Sequence, residues 1–187
     1  MTELKDLHAR ALERYGQLVH AIRDDQWHGP TPCTDWDVRV LVNHLVSENF
    51  WMPPLLDGKT IADVGDSLDG DLLGDDPKAT WDSSAVEAGR AVQAVPLDRT
   101  VRLSYGEAPA EHYISEVFSD LTIHGWDLAR AIGADESIDP ESVDILYERY
   151  KPIEEGLKAT GLFGPKVDPP PGADKQTQLL AIFGRVA

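Results

Sequence analysis

Hydrophobic residues recur at spacings of three and four along most of this chain, which is typical of amphipathic helices. The pattern predicts helices over about 4–22, 36–51, 78–95, 109–132, 140–159 and 174–182. The segment 99–105 alternates instead, which favours a short extended strand. We therefore expect a mainly α protein, a four-helix bundle with an additional C-terminal helix and a short strand.

Capping and helix-breaking residues predict where these helices begin and end. Thr34 or Asp35 is a suitable N-cap for the second helix, and Pro53-Pro54 is expected to end it. Gly133 is expected to end the fourth helix. Two segments are predicted to lack regular structure: the Asp- and Gly-rich 57–76 and the Pro-rich 164–172.

Length, charge and cysteine content limit the number of domains, the partners and the location that we expect for this protein. The 187 residues fit one domain, 1–187, and the formal charge of −16 disfavours nucleic acid and anionic membranes as partners. No signal peptide is visible, and no apolar run approaches the ~20 residues that span a bilayer. The single cysteine, Cys33, cannot form an internal disulfide, which suits a reducing cytoplasm. We expect a cytoplasmic protein, a monomer or a homodimer.

The fourth helix carries the candidate chemistry. Asp120 and His124 are four residues apart, so both project from one face of this helix. His124 falls within the apolar arc that contains Leu121 and Leu128, and Asp120 lies at its edge. A carboxylate and an imidazole facing a core must be paired, hydrogen-bonded or bound to a metal.

The second helix offers a third ligand. His44 flanks the apolar arc of that helix, and Glu48 follows four residues later on the same side. If the two helices are neighbours, His44 meets Asp120 and His124, and two imidazoles with one carboxylate suit a divalent transition metal with open coordination positions. The alternative is a structural pair in which Asp120 holds one tautomer of His124.

Two longer motifs resemble a known family. The segment Pro-Cys-Thr-Asp-Trp-Asp-Val-Arg-Val-Leu-Val-Asn-His-Leu, residues 32–45, resembles the second-helix signature of the DinB-like superfamily. His-Gly-Trp-Asp-Leu-Ala-Arg-Ala, residues 124–131, is similar to the second signature of its mycothiol-dependent maleylpyruvate isomerase N-terminal-domain branch, found in actinobacteria. The endings Phe163-Gly164-Pro165 and 179–185 resemble small, uncharacterised members of that branch.

The resemblance implies a DinB-like four-helix bundle and a metal triad. The family's ligands correspond here to His44, Asp120 and His124. Two departures limit the transfer of function: the isomerase has Glu where this chain has Asp120, and it has a further C-terminal domain that this shorter chain lacks. The resemblance therefore does not carry maleylpyruvate isomerisation itself.

The chemistry implied is metal-dependent activation of a thiol. Related enzymes bind a small thiol as thiolate on the metal, and the thiolate attacks an electrophile. The leading hypothesis is a mycothiol-type S-transferase or isomerase that holds Zn or Ni, with a small-molecule thiol and an electrophile as partners. The alternatives are a metal-dependent hydrolase and a non-catalytic metal- or ligand-binding module. In the hydrolase, Glu48 serves as general base or supports a metal ligand; the competing interpretation of Glu48 is a solvated helix residue.

Other residues have competing interpretations. Cys33, at a helix N-terminus, is either a nucleophile or a small buried residue, and the second is favoured. Asp127 either orients the metal-binding turn or pairs with Arg130 or Arg39. Trp126 is expected to pack against a neighbouring element or a partner subunit, and His8 is expected only to pack.

Overall fold

The computed structural model describes residues 3–159 and 167–187, and four long helices form its centre. They are α1 (Leu4–Ala21), α2 (Val38–Leu56), α4 (Pro77–Ala94) and α5 (Ala110–Ile132). Helix α1 packs against α4 and α5, and α2 packs against the same two helices, so the four close into a ring. The predicted mainly α bundle is confirmed.

Shorter elements complete the described fold. They are α3 (Ile61–Val64), the antiparallel strands β1 (Thr100–Leu103) and β2 (Gly106–Pro109), and the helices α6 (Pro140–Tyr150), α7 (Glu154–Ala159) and α8 (Lys175–Ile182). The predicted strand and the additional C-terminal helix are therefore present. The Phe163-Gly164-Pro165 motif and residues 164–166 of the predicted tail lie outside the described residues.

Helix α2 differs from its prediction at both ends. Asp37, rather than Thr34 or Asp35, caps it by accepting a hydrogen bond of 2.9 Å from the backbone N–H of Val40. The Pro53-Pro54 pair lies inside the last turn and does not end the helix. The turn persists because Leu55 and Leu56 are buried and because the carbonyl groups of both prolines accept backbone hydrogen bonds.

Two other predictions were incomplete: one missed a break in a helix, and the other missed the partner of a strand. The helix predicted over 140–159 divides into α6, a 3₁₀ turn at Lys151–Ile153 and α7. Pro152 lies in that turn, and a proline there removes a helical N–H donor. Strand β1 pairs with β2, which the sequence pattern did not indicate because Gly-Glu-Ala-Pro has low strand propensity.

Helix α5 is buried on both sides. Its inner face joins the core enclosed by the four-helix ring. Its outer face forms a second core with α6 and α8, in which Phe118, Ile123 and Trp126 meet Leu146 and Leu180. Trp126 therefore packs against a neighbouring element, as predicted.

No helix within residues 3–159 and 167–187 combines the length and the apolar character needed to cross a membrane.

His8 on α1 generates a prediction about acid stability. It is fully buried, neither ring nitrogen has a hydrogen-bond partner among the described residues, and burial lowers its pKa to about 4. The folded state therefore binds fewer protons than the unfolded chain, whose histidine pKa is about 6.5. Stability from His8 is complete above about pH 6.5 and is lost as the pH falls toward 4.

We expect the parent to lose about 2 kcal/mol more unfolding free energy between about pH 8 and pH 5 than His8→Met does. Urea denaturation at each pH measures the difference. His20→Met, at an exposed histidine of the same helix, is the matched control and should follow the parent. Equal pH dependence of the parent and His8→Met would contradict a buried, neutral His8.

Candidate metal-binding site

His44, Asp120 and His124 meet between helices α2 and α5. Asp120 lies between the two histidines: its Oδ2 is 2.7 Å from His44 Nε2 and its Oδ1 is 3.3 Å from His124 Nε2. One ligand atom from each of the three residues lies within 4.8 Å of the others. Helix spacing predicted that Asp120 and His124 share one face, and the family resemblance supplied His44 as the third residue. The binding of a metal there stays a prediction.

The loop before α2 covers the two imidazoles. The ring of Trp36 lies 4.9 Å from that of His44 and 5.6 Å from that of His124, between ring centres. Thr31 fixes this loop, because its hydroxyl donates a hydrogen bond of 2.8 Å to the backbone carbonyl of Trp36. The tryptophan thereby limits the contact of both histidines with water.

Asp127 orients the ring of His124 from the opposite side. Its Oδ2 accepts a hydrogen bond of 2.9 Å from His124 Nδ1, which leaves Nε2 directed toward Asp120. Arg185, just beyond α8, holds Asp127 through contacts of 2.7 Å and 3.2 Å. Metal-binding histidines commonly donate their second ring N–H to a carboxylate in this way. Asp127 thus orients the ring of His124, in line with one of the two predicted alternatives. Its arginine partner is Arg185 rather than Arg130 or Arg39.

The electrostatics of the cluster favour bound positive charge. Burial would lower the pKa of His124, but the carboxylates of Asp120 and Asp127 raise it well above its usual value. Burial would likewise raise the pKa of Asp120, but His124 and His44 hold it well below its usual range. The carboxylates therefore stabilise a cation between them, whether the cation is a proton on an imidazole or a metal ion.

The donor set fits a divalent metal ion. Two imidazole Nε2 atoms and a carboxylate are typical ligands of zinc and nickel, and Asp127 fixes the tautomer that one of them needs. A second set, Cys33, His124 and Asp127, also lies within 4.8 Å. Arg185 Nη2 is 3.3 Å from Cys33 Sγ and 2.7 Å from Asp127, so its positive charge opposes a metal ion in that second position.

A cleft of about 910 Å³ opens onto this cluster. Its wall contains the three candidate ligands, and Glu48, Cys33 and Arg185 also line it. Glu48 belongs to neither donor set, and burial, followed by the charge of Asp120, raises its pKa to about 7. The cleft is therefore large enough to hold a small molecule against the cluster.

Sequence reasoning missed several residues of this cleft. Arg185 follows the last helix, and no periodicity relates it to residues on α5. Cys33 was expected mainly to pack, yet its Sγ contacts Asp127 Oδ2 at 3.3 Å and lines the cleft. The tyrosines Tyr105, Tyr113 and Tyr150 also line it, and they come from a hairpin turn and two helices that only the fold brings together.

Comparison with known families identifies the family of this chain. The profile of the mycothiol maleylpyruvate isomerase N-terminal domain family matches residues 8–129, which include all three candidate ligands. The chain belongs to this family. The resemblance inferred from the motifs around His44 and His124 is therefore confirmed.

Two relatives match nearly the whole chain. They are uncharacterised proteins of Mycobacterium tuberculosis, one from strain CDC 1551 / Oshkosh and one from strain ATCC 25618 / H37Rv. Each is 29% identical over 191 residues, which cover 95% of this chain and 95% of the relative. These matches are consistent with the actinobacterial branch, and no solved structure matches the chain.

The contact between Arg185 and Asp127 generates a stability prediction. The Asp127 side chain is fully buried and that of Arg185 is 11% exposed, so removing the guanidinium leaves the buried carboxylate with His124 in place of two charged partners. We expect Arg185→Met to lower the free energy of unfolding by about 3 kcal/mol, measured by urea denaturation at pH 7.

Arg102→Met is the matched control, because Arg102 pairs with Glu107 on the exposed hairpin, where both side chains are more than half exposed. It should change stability by less than about 1 kcal/mol. An effect of Arg185→Met no larger than that of Arg102→Met would contradict the assignment of Asp127 as a buried, ionised partner.

Proposed function

We propose that this protein binds one divalent metal ion through His44, Asp120 and His124 and uses it to activate a small thiol for reaction with an electrophile. The observation that carries the proposal is the convergence of these three side chains, within 4.8 Å, on the wall of a cleft of about 910 Å³. The chain belongs to the mycothiol maleylpyruvate isomerase N-terminal domain family, which supports a mycothiol-type thiol as the substrate. The reaction class is S-transfer or isomerisation.

A bound zinc or nickel ion would lower the pKa of a thiol so that it reacts as thiolate near neutral pH. The protein's own groups have separate tasks. Asp127 and Arg185 hold the ring of His124 in one orientation, and Trp36 restricts water at both histidines. The three-residue donor set leaves coordination positions for a ligand, as catalytic rather than structural sites do.

Glu48 is the group we propose to accept the thiol proton. It stands one helical turn beyond His44 on α2 and lines the same cleft. Its pKa of about 7 places it near the pH at which a carboxylate is both available as a base and able to release the proton again. An ordinary surface glutamate would be a much weaker base.

The metal ligands can be tested by elemental analysis of protein purified without an affinity tag. We expect about one equivalent of zinc or nickel in the parent and its loss in His44→Ala, Asp120→Ala and His124→Ala, since each change removes one of three ligands. His20→Ala and Asp82→Ala, which remove an exposed histidine and its aspartate partner, should retain the metal. If the parent contains no metal and its melting temperature does not change when zinc or nickel is added, the proposed site is wrong.

Thiol activation can be tested with the zinc-loaded protein, 2-mercaptoethanol and 1-chloro-2,4-dinitrobenzene. In this reaction a sulfur–carbon bond forms, the carbon–chlorine bond breaks, chloride leaves and the thiol proton passes to Glu48 and then to solvent. We expect the parent to exceed His124→Ala at least about tenfold in rate, measured by absorbance of the thioether product.

Glu48→Gln should retain the metal and lower this rate by about 10- to 100-fold, because its amide cannot accept the proton. Glu87→Gln, at an exposed position on α4, is the matched control and should behave as the parent. A parent no faster than His124→Ala would reject thiol activation. Metal-dependent release of 4-nitrophenol from 4-nitrophenyl acetate by that same preparation would then identify a hydrolase, and no turnover of either compound would identify a binding module.

A further inference from the structure

The hydroxyl of Tyr15 on α1 is a buried donor without an acceptor. The side chain is fully buried, and its hydroxyl has no hydrogen-bond partner among the described residues. The ring packs against that of Trp81, with 4.7 Å between the ring centres, and Tyr15 is not among the residues that line the cleft. Buried hydroxyl groups are nearly always hydrogen-bonded, so this one calls for an explanation.

Tyr15 points from α1 toward the candidate ligands on α5. A Cβ atom added at Gly125 would lie 3.8 Å from Tyr15 Cδ2, and, just beyond α1, Gln26 Nε2 donates a hydrogen bond of 2.9 Å to the Ile132 carbonyl. Contacts therefore advance together along both helices, which run parallel. Because a helical side chain leans toward the N-terminus of its own helix, Tyr15 leans from Gly125 toward Asp120.

Three groups of the metal-binding cluster lie within electrostatic reach of this hydroxyl. Burial raises the pKa of Tyr15 well above its usual value, and the charges of Asp120, Asp127 and Cys33 raise it further, in that order. Asp127 is already engaged, since its Oδ1 and Oδ2 both accept hydrogen bonds from Arg185, at 3.2 Å and 2.7 Å. Cys33 Sγ is 3.3 Å from the same guanidinium group. Asp120 is the acceptor whose partners a metal ion would change.

Metal binding would deprive Asp120 of its present donors. Its Oδ2 is 2.7 Å from His44 Nε2, and its Oδ1 is 3.3 Å from His124 Nε2. An imidazole nitrogen that binds a metal ion cannot keep its proton, so neither Nε2 atom would donate to Asp120 any longer. If Asp120 gives one oxygen to the ion, its other oxygen needs a new donor. Carboxylates that bind metals are commonly held by such a hydrogen bond.

We propose that Tyr15 is a positioning residue of the metal site, whose hydroxyl donates a hydrogen bond to the Asp120 oxygen that the bound ion leaves free. This inference rests on the proposed function and adds to it a residue from a third helix. The donor without an acceptor and the acceptor that loses its donors then satisfy each other. Because the hydroxyl gains its partner only when the ion binds, removing it weakens metal binding and leaves the metal-free fold unchanged.

The test compares zinc affinity with metal-free stability in Tyr15→Phe, using the full-length chain. The dissociation constant for zinc is measured at pH 7 by competition with a chromophoric chelator, and stability by urea denaturation after the metal is removed. We expect Tyr15→Phe to bind zinc about tenfold more weakly than the parent, a loss typical of groups that hold metal ligands. Without metal it should unfold at the same or a higher urea concentration, because the hydroxyl has no partner there.

Tyr113→Phe is the matched control. Its hydroxyl is also buried without a partner among the described residues, but Tyr113 precedes Asp120 by seven residues on α5, roughly 10 Å along the helix axis. Its pKa is raised by burial and then by the charges of Glu48, Glu116 and Tyr105. We expect Tyr113→Phe to keep the zinc affinity of the parent.

A spectroscopic measurement distinguishes positioning from a general effect on the fold. In the cobalt-loaded protein the visible absorption bands report the geometry of the ligands, including how Asp120 binds the ion. These bands should shift in Tyr15→Phe and stay unchanged in Tyr113→Phe. Unchanged bands in Tyr15→Phe would overturn the assignment of Tyr15 as the group that positions Asp120.

The outcomes separate this inference from the function on which it rests. If the parent binds zinc and Tyr15→Phe binds it equally well, water in the cleft rather than Tyr15 satisfies Asp120; the inference is then wrong and the metal site stands. Equal weakening by Tyr15→Phe and Tyr113→Phe, or a less stable metal-free Tyr15→Phe, would give the hydroxyl a structural role and also overturn the inference. A parent that binds no zinc would reject the proposed function and this inference together.

Discussion

The need to pair the charged groups buried on helix α5 shapes the architecture around it. His124 and Asp127 lie on a helix that contacts the bundle on one face and α6 and α8 on the other, so little water reaches their charges. Burying an ion without a partner costs several kcal/mol, and each of these groups is accordingly paired. Asp120 pairs with His124 and His44, and Asp127 pairs with His124 and Arg185.

These pairings tie together segments that are distant in the chain. Helix α2 supplies His44, the loop before it supplies Trp36 and Cys33, and the residues after α8 supply Arg185. Glu116, Asp120, His124 and Asp127 follow one another along α5, and Arg185 binds Asp127, so Arg185 and Glu116 lie on opposite sides of the candidate ligands. The arrangement that stabilises the buried charges therefore also gives the cleft two chemically different ends, and the candidate metal ligands lie between them.

The main helices were predictable because their apolar spacing is local. Two of the errors occurred where tertiary contacts outweighed a local signal. Leu55 and Leu56 are buried, which keeps the last turn of α2 helical despite Pro53 and Pro54. Strand β2 forms from a sequence with low strand propensity because β1 provides its partner. Propensity describes an isolated segment, whereas the packing energy belongs to the folded chain.

The sequence by itself determined the fold class, the family and the three side chains that converge between α2 and α5. The fixed spacing of helical residues places Asp120 beside His124 on α5. The motif around His44 identifies α2 as the helix that supplies the third side chain. Only the tertiary structure decided that Arg185 holds Asp127 and that Cys33 joins this contact. Contacts of this kind join residues as many as 152 positions apart, and no local periodicity encodes them.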